Sequence, residues 1–292
     1  MERHLLAEAD MVESKRDPLS GPVLPYGLPD DWPKAERPPS SLFGAAFLAL
    51  LTIGLLAAAG WVTADGQPGT GFMLIVIAVY FGHLTAAGAS RLRYPRHGRS
   101  PVLGVDDRGE RGLTFAYARA PYYWQSAIVI LTALGFAGGA LGTAVMGPVG
   151  GWIIAAVAGL VAGSLTWFVV DFLRRAPGRV VLTPSGIYHR SHFAEYFTPW
   201  DAVSGVGVTT ADPMIVVKAD PSPDARQRRL SRRRNRSEED FWPFIVIGAY
   251  SLGGNSRPVY RAIDFYLRHR ERRSLLGTPE AITAATGTDR LY

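Results

Sequence analysis

The chain has 292 residues, 31 Lys and Arg against 25 Asp and Glu, and no cysteine. Disulfides, thiolate nucleophiles and cysteine-ligated metals are thereby excluded. Residues 41–173 are largely apolar and the flanks carry nearly all the charge, which predicts a membrane part with polar appendages rather than a single globular core.

Residues 1–40 are polar and proline-rich, without an apolar run after the early charges. They predict a disordered cytoplasmic segment with no cleavable signal. Four apolar stretches follow: Ser41–Val62, Gly71–Ala89, Trp124–Met146 and Gly151–Leu173, none containing Lys or Arg. Each reaches the ~20 residues that a helix needs to cross ~30 Å of hydrocarbon. They predict two transmembrane hairpins, 41–89 and 124–173. Trp61, Tyr122, Tyr123, Trp124 and Trp152 fall near the expected headgroup levels.

The links set the orientation. Thr63–Thr70 carries only Asp65, and Gly147–Gly150 carries no charge. The link over residues 90–123 holds seven arginines: 91, 93, 96, 99, 108, 111 and 119. Five basic residues precede it in the first 40, and nineteen follow Leu173, so all 31 fall on one side. Basic segments stay inside during insertion. The expectation is a multi-pass protein of the cell membrane with both termini and the middle link cytoplasmic.

Gly135 and Gly139, Gly138 and Gly142, and Gly159 and Gly163 are each four apart, so each pair lies on one helix face and allows close helix approach. Packing within one bundle is the leading interpretation, and a homo-oligomer is the alternative.

In the middle link, Val102–Val105 and Leu113–Ala118 alternate like strands around Asp107, Arg108 and Gly109. This is a candidate β-hairpin that could pair with the tail. In the tail, strands are expected at 179–183, 186–191, 195–198, 203–209, 214–219 and 244–249, with a turn at Pro184, Ser185 and Gly186. A helix follows, with Ser256 as its cap, Pro258 in its first turn and Val259, Ala262, Ile263, Tyr266 and Leu267 on one face. Arg268, Arg270, Arg272 and Arg273 are expected near its C-terminal end, where the helix dipole favours cations. The predicted domain runs over 174–276 with an arginine-rich insertion at 220–240, and 277–292 forms a C-terminal tail.

The run Val180-Val-Leu-Thr-Pro-Ser-Gly-Ile-Tyr, followed by Thr198-Pro-Trp-Asp-Ala-Val, resembles the opening of bacterial PH-like domains. The layout as a whole resembles four-span actinobacterial membrane proteins, themselves uncharacterised, that carry such a domain in the cytoplasm. The fold class implied is an all-α membrane part of two hairpins plus a small β-rich PH-like domain ending in a helix. Domains of this kind serve as adaptors or oligomerisation modules.

The insertion holds the densest charge: Arg226, Arg228, Arg229, Arg232, Arg233, Arg234 and Arg236. Such a run predicts a disordered loop attracted to anionic headgroups at ~1 kcal/mol per basic residue. A plain solvated loop is the bland alternative, and nucleic-acid binding lacks the interleaved aromatics that stacking would need. Within the spans, His83 and Asp171 are the ionisable candidates, able to form a pair or a proton relay. The alternative for His83 is a neutral ring bonded to a nearby hydroxyl such as Tyr80 or Thr166, or one snorkelling toward the interface. His189 and His192 are three apart on a strand, so they face opposite sides and share no metal without a bend. No metal site, cofactor fingerprint or catalytic cluster is expected. The leading expectation is a non-enzymatic membrane anchor for an interaction domain, with the lipid bilayer and a protein as partners. A small oligomeric transporter or channel and a membrane enzyme with a site at the inner interface are the alternatives.

Overall fold

The computed structural model describes residues 28–29, 32–33, 39–92, 98–146, 149–210, 213–230 and 241–286. The chain divides into two compact units. One comprises Arg37–Tyr94 and Ala118–Pro177; the other comprises Met1–Glu36, Pro95–Tyr117 and Gly178–Tyr292.

The first unit is helical: α1 Pro39–Ala64, α2 Pro68–Leu92, α3 Arg119–Met146 and α4 Val149–Arg175. All four are long and apolar enough to cross a membrane. α1 and α2 begin on proline, whose missing N–H and fixed φ suit the first helical position. The helices outrun the apolar stretches by several residues and take up Arg91, Arg119, Arg174 and Arg175 at their ends. α1 packs against α2 and α3 against α4, giving two hairpins. The first hairpin turns at Gly66, which has φ +83°, a left-handed conformation that glycine adopts without Cβ strain. Here Asp65 N–H donates to Trp61 O (3.0 Å) and Gln67 N–H to Val62 O (3.1 Å).

Among the described residues, the glycine pairs make no close helix contact. A Cβ placed on Gly135, Gly138, Gly139, Gly142, Gly159 or Gly163 would meet nothing within 4 Å. Close approach occurs instead at Gly71, where a Cβ would lie 3.0 Å from Ala59 O, and at Gly151, 2.8 Å from Thr143 O. Both flank the hairpin turns, where the backbones converge.

The second unit is β-rich. An antiparallel six-stranded sheet has the order β1-β2-β3-β4-β5-β8, and a three-stranded sheet the order β6-β7-β9. The strands are β1 Val102–Val105, β2 Arg111–Ala116, β3 Arg179–Leu182, β4 Gly186–Arg190, β5 Ala194–Pro199, β6 Val203–Val208, β7 Met214–Ala219, β8 Arg226–Arg229 and β9 Ile245–Gly248. β2 pairs with β3, Phe115 opposite Val180, so the hairpin from the middle link and the strands of the tail share one sheet. The register of β6 against β7 shifts between Val203 and Gly205, a bulge. The core holds Leu113, Phe115, Val180, Leu182 and Ile187 from the larger sheet, and Ile215, Val217, Ile245 and Ile247 from the smaller one.

Helices α5 Ala249–Leu252, α6 Ser256–Arg268 and α7 Pro279–Thr286 complete the unit, and α6 packs on β6. Ser256 does not cap α6: the cap position is Asn255, whose side chain instead donates to Ala116 O (3.1 Å). Arg270, Arg272 and Arg273 lie beyond the helix, in a 3-10 helix Arg270–Gly277. There Arg273 is buried over the Trp200 ring at 5.0 Å and donates to Tyr266 O.

Two further expectations change. Trp32, in the segment read as disordered, is buried; its indole N–H donates to Thr209 O (2.9 Å), and Arg257 donates to the Trp32 carbonyl. Arg226, Arg228 and Arg229, read as part of a loop, belong to strand β8. The other four arginines of that run, 232, 233, 234 and 236, lie outside the described residues.

Candidate anion-binding face

The turn at Thr183–Gly186 organises the sheet. Thr183 Oγ accepts from Gly186 N–H at 3.1 Å, and the Trp200 indole donates to Thr183 O at 2.8 Å. A side chain at Gly186 would place its Cβ 2.4 Å from Thr198 O, so only glycine permits this approach. The motif Thr-Pro-Ser-Gly followed by Pro-Trp is thus one physical device, a turn stitched by a hydroxyl and closed by an indole.

The β1–β2 turn is built by Asp106, whose Oδ1 accepts from the N–H groups of Arg108 and Glu110, both at 2.8 Å. Glu110 in turn accepts from Ser185 N–H (3.1 Å) and from the Ser185 hydroxyl. The two turns are therefore latched together, which brings Asp107 and Arg108 to the rim of the outer sheet face.

Register sets what that face carries. Arg179 pairs with Arg190, Arg190 with Glu195, and Glu195 with Arg228, a single cross-strand row over β3, β4, β5 and β8. Two residues along each strand, a second row of Val181, Tyr188, Phe197 and Arg226 lies on the same face. Val181, Tyr188 and Phe197 form a buried cluster. They are covered by guanidinium groups: Arg179 lies 5.8 Å from the Tyr188 ring centre, and Arg226 and Arg108 lie 4.5 and 5.7 Å from that of Phe197.

The carboxylates are few. Asp107 pairs with Arg226 at 2.9 Å. Glu195 lies 3.6 Å from Arg190 Nε and 3.7 Å from Arg228 Nη1. Burial, with the Glu195 carboxylate beside it, pushes the Tyr188 hydroxyl up to about 12, so it stays protonated.

The opposite face carries the histidine. His189 is fully enclosed, shares a hydrogen bond with the Tyr117 hydroxyl and stacks on Tyr196, which stacks on Trp242. Burial alone lowers its pKa to about 3, so it is a neutral core residue near pH 7. His192 lies in the β4–β5 turn, its ring stacked on Phe193.

In the helical unit, His83 and Asp171 are not brought together. His83 Nδ1 bonds Val79 O within its own helix at 2.8 Å, and its ring meets Trp124 edge-on. Its partner is thus a backbone carbonyl and not the Tyr80 or Thr166 hydroxyl. Asp171 pairs with Arg175 at 2.6 Å. A cavity of about 420 Å³ lies among α2, α3 and α4, lined mainly by apolar groups such as Val76, Leu131, Phe136 and Ile154, with the hydroxyls of Tyr80 and Thr132 at its wall.

Arg179, Arg190 and Glu195 were missed as a group in the sequence because they are dispersed over seventeen residues. The signal was present in the hairpin itself: a turn at Thr183–Gly186 forces Arg179 opposite Arg190. No family model matches the chain, and no curated protein or solved structure matches it either.

Proposed function

We propose that this protein is a non-enzymatic membrane anchor. In this reading its four helices cross the cell membrane and hold a PH-like interaction module at the cytoplasmic surface, where it binds the anionic inner leaflet or a protein docked there. The observation that carries the reading is the charge distribution. All 31 basic residues fall in the N-terminal 40, in residues 90–123 or after Leu173, whereas the two remaining links contain Asp65 as their only charge.

Three features support the module's role. Two of its connections to the helices are very short, Tyr117–Ala118 after β2 and Ala176–Gly178 before β3. Its outer sheet face is rich in arginine, and basic groups near an anionic leaflet each contribute ~1 kcal/mol. Two antiparallel sheets with a later helix, together with the Thr183–Gly186 and Trp200 device, favour the PH-like reading.

The test uses the cysteine-free background. Single cysteines at Gln67 and at Asp224 are challenged with an impermeant maleimide in intact cells and after lysis. Labelling at 67 in intact cells, and at 224 only after lysis, is expected. The reverse pattern would overturn the proposed threading.

A further inference from the structure

Among the described residues, charge does not balance on the outer face of the six-stranded sheet. Five guanidinium groups, those of Arg108, Arg179, Arg190, Arg226 and Arg228, meet two carboxylates. Asp107 is committed to Arg226. Glu195 stands between Arg190 and Arg228 at separations beyond hydrogen-bond length. Arg179 is directly opposite Arg190 and forms no ion pair among the described residues. The Nε groups of Arg179, Arg190 and Arg226 are buried and donate to no acceptor among the described residues.

Both features cost stability. Like charges opposite one another on a sheet repel, and a buried donor without an acceptor loses its hydration uncompensated. One oxyanion offsets both. A phosphate group presents several acceptor oxygens, and the planar fork of arginine matches it better than any other side chain does. The rings of Tyr188 and Phe197 form a rigid floor beneath the guanidinium groups. Side-chain exposures of 29% for Arg190 and 75% for Arg228 leave the row open to a ligand.

We propose that Arg179, Arg190 and Arg228 form a binding site for a phosphate oxyanion, carried by a lipid headgroup or by a free phosphate group. The site shares Arg228 with the arginine run at 226–236 but is built by strand register rather than by charge density. Only the headgroup source rests on the membrane-anchor reading above.

The full-length protein is placed in phosphatidylcholine nanodiscs and treated with phenylglyoxal, which modifies arginine. Modification of each residue is read by peptide mass spectrometry, with Arg268, on α6 and 57% exposed, as reference. Inorganic phosphate is added at constant ionic strength, and a second set of discs contains phosphatidylglycerol without phosphate. Modification of Arg179 and Arg190 is expected to slow about sixfold at five times the dissociation constant, with Arg268 unchanged. Protection by inorganic phosphate in phosphatidylcholine discs identifies a free-phosphate site; protection only with phosphatidylglycerol identifies a headgroup site. Glu195→Gln, which removes the competing charge, is expected to lower the half-protecting phosphate concentration about fivefold. Absence of protection in every arm, or equal protection of Arg268, would overturn the proposal. Because both faces of a nanodisc are accessible, this result is independent of the orientation that maleimide labelling reports.

Discussion

In the helical unit Phe43, Trp61, Val145 and Leu160 expose 75, 75, 83 and 73% of their surface, whereas in the β-rich unit Phe115, Ile187, Ile215 and Ile247 expose none. Polar side chains differ in degree along the same line, although Thr132 also meets the Tyr80 hydroxyl of a neighbouring helix and Asp106, Thr183 and Ser256 bond within their own turns. Thr52, Thr85, Thr132, Ser164 and Thr166 each donate to the carbonyl four residues back in their own helix. In the β-rich unit such groups join different elements: Trp200 to Thr183, Asn255 to Ala116, Glu110 to Ser185. A hydroxyl in hydrocarbon has no water to fall back on and bonds locally. A chain folding in water instead spends its polar side chains on positioning, because apolar burial already holds it together. The contrast supports opposite solvents for the two units.

The sharpest test of the β-rich half is Trp200→Ala. It removes a buried indole, leaves the Thr183 carbonyl without its donor and unseats Arg273. A loss of ~3–5 kcal/mol is expected, read as lost hydrogen-exchange protection of β3 and β4 in the full-length protein. A loss below ~1 kcal/mol would break the assignment of Trp200 as the closure of the turn. For the helical half the corresponding change is Leu160→Arg on an outward face. Its insertion is expected to cost ~2.5–3.5 kcal/mol, lowering the membrane-integrated fraction, while Ser204→Arg on the exposed β6 bulge stays within ~0.5 kcal/mol of the parent. Equal behaviour of the two variants would erase the contrast.

The halves also differed in how far the sequence disclosed them. Apolar runs without Lys or Arg located all four helices, because hydrocarbon demands one property over twenty consecutive residues. Their ends were misjudged where prolines and arginines extend the helices past the apolar core. In the β-rich half, Pro184-Ser185-Gly186 located the β3–β4 turn, and the middle-link hairpin was legible from alternation. Strand β8 was hidden because Arg-Gln-Arg-Arg reads as repelling charge. It forms as an edge strand where Glu195, Asp107 and Phe197 supply partners that lie far off in sequence. The burial of Trp32 depends on Thr209 and Arg257, contacts that no local pattern discloses. The charged row of the candidate site was half legible: Arg179 opposite Arg190 follows from the turn, but Arg228 does not.

Acid separates the halves at a smaller amplitude. His189 titrates at about 3 in the folded β-rich unit and near 6.5 when unfolded, because burial disfavours the cation. Between those values the unfolded state binds the extra proton, so stability is full above pH 6.5 and declines as pH falls below it. The slope approaches ~1.4 kcal/mol per pH unit for one such group. His192, lowered to about 4 by burial, adds in the same direction. Urea midpoints of the β-rich unit's exchange protection at pH 7.5, 6 and 5 should fall accordingly, and His189→Gln should flatten the dependence. A parent protein equally stable at pH 5 and 7.5 would show that His189 is not enclosed as a neutral ring.

Gly139→Ala is expected to move least and decides how the glycine faces are used. Among the described residues, no atom beyond its own helix turn lies within 4 Å of a Cβ there, so the added methyl group meets no neighbouring helix and gains helix propensity of up to ~1 kcal/mol. Gly71→Ala, by contrast, brings a Cβ against Ala59 O and Thr63 and should loosen the first hairpin by ~1–3 kcal/mol. The comparison is made by thermal unfolding of the purified protein at two protein-to-detergent ratios. If Gly139→Ala destabilises only at the higher ratio, the open glycine face of α3 is in use between copies of the chain. If it is neutral or stabilising at both, those glycines do not mediate association, and the exposed faces of the helices meet lipid alone.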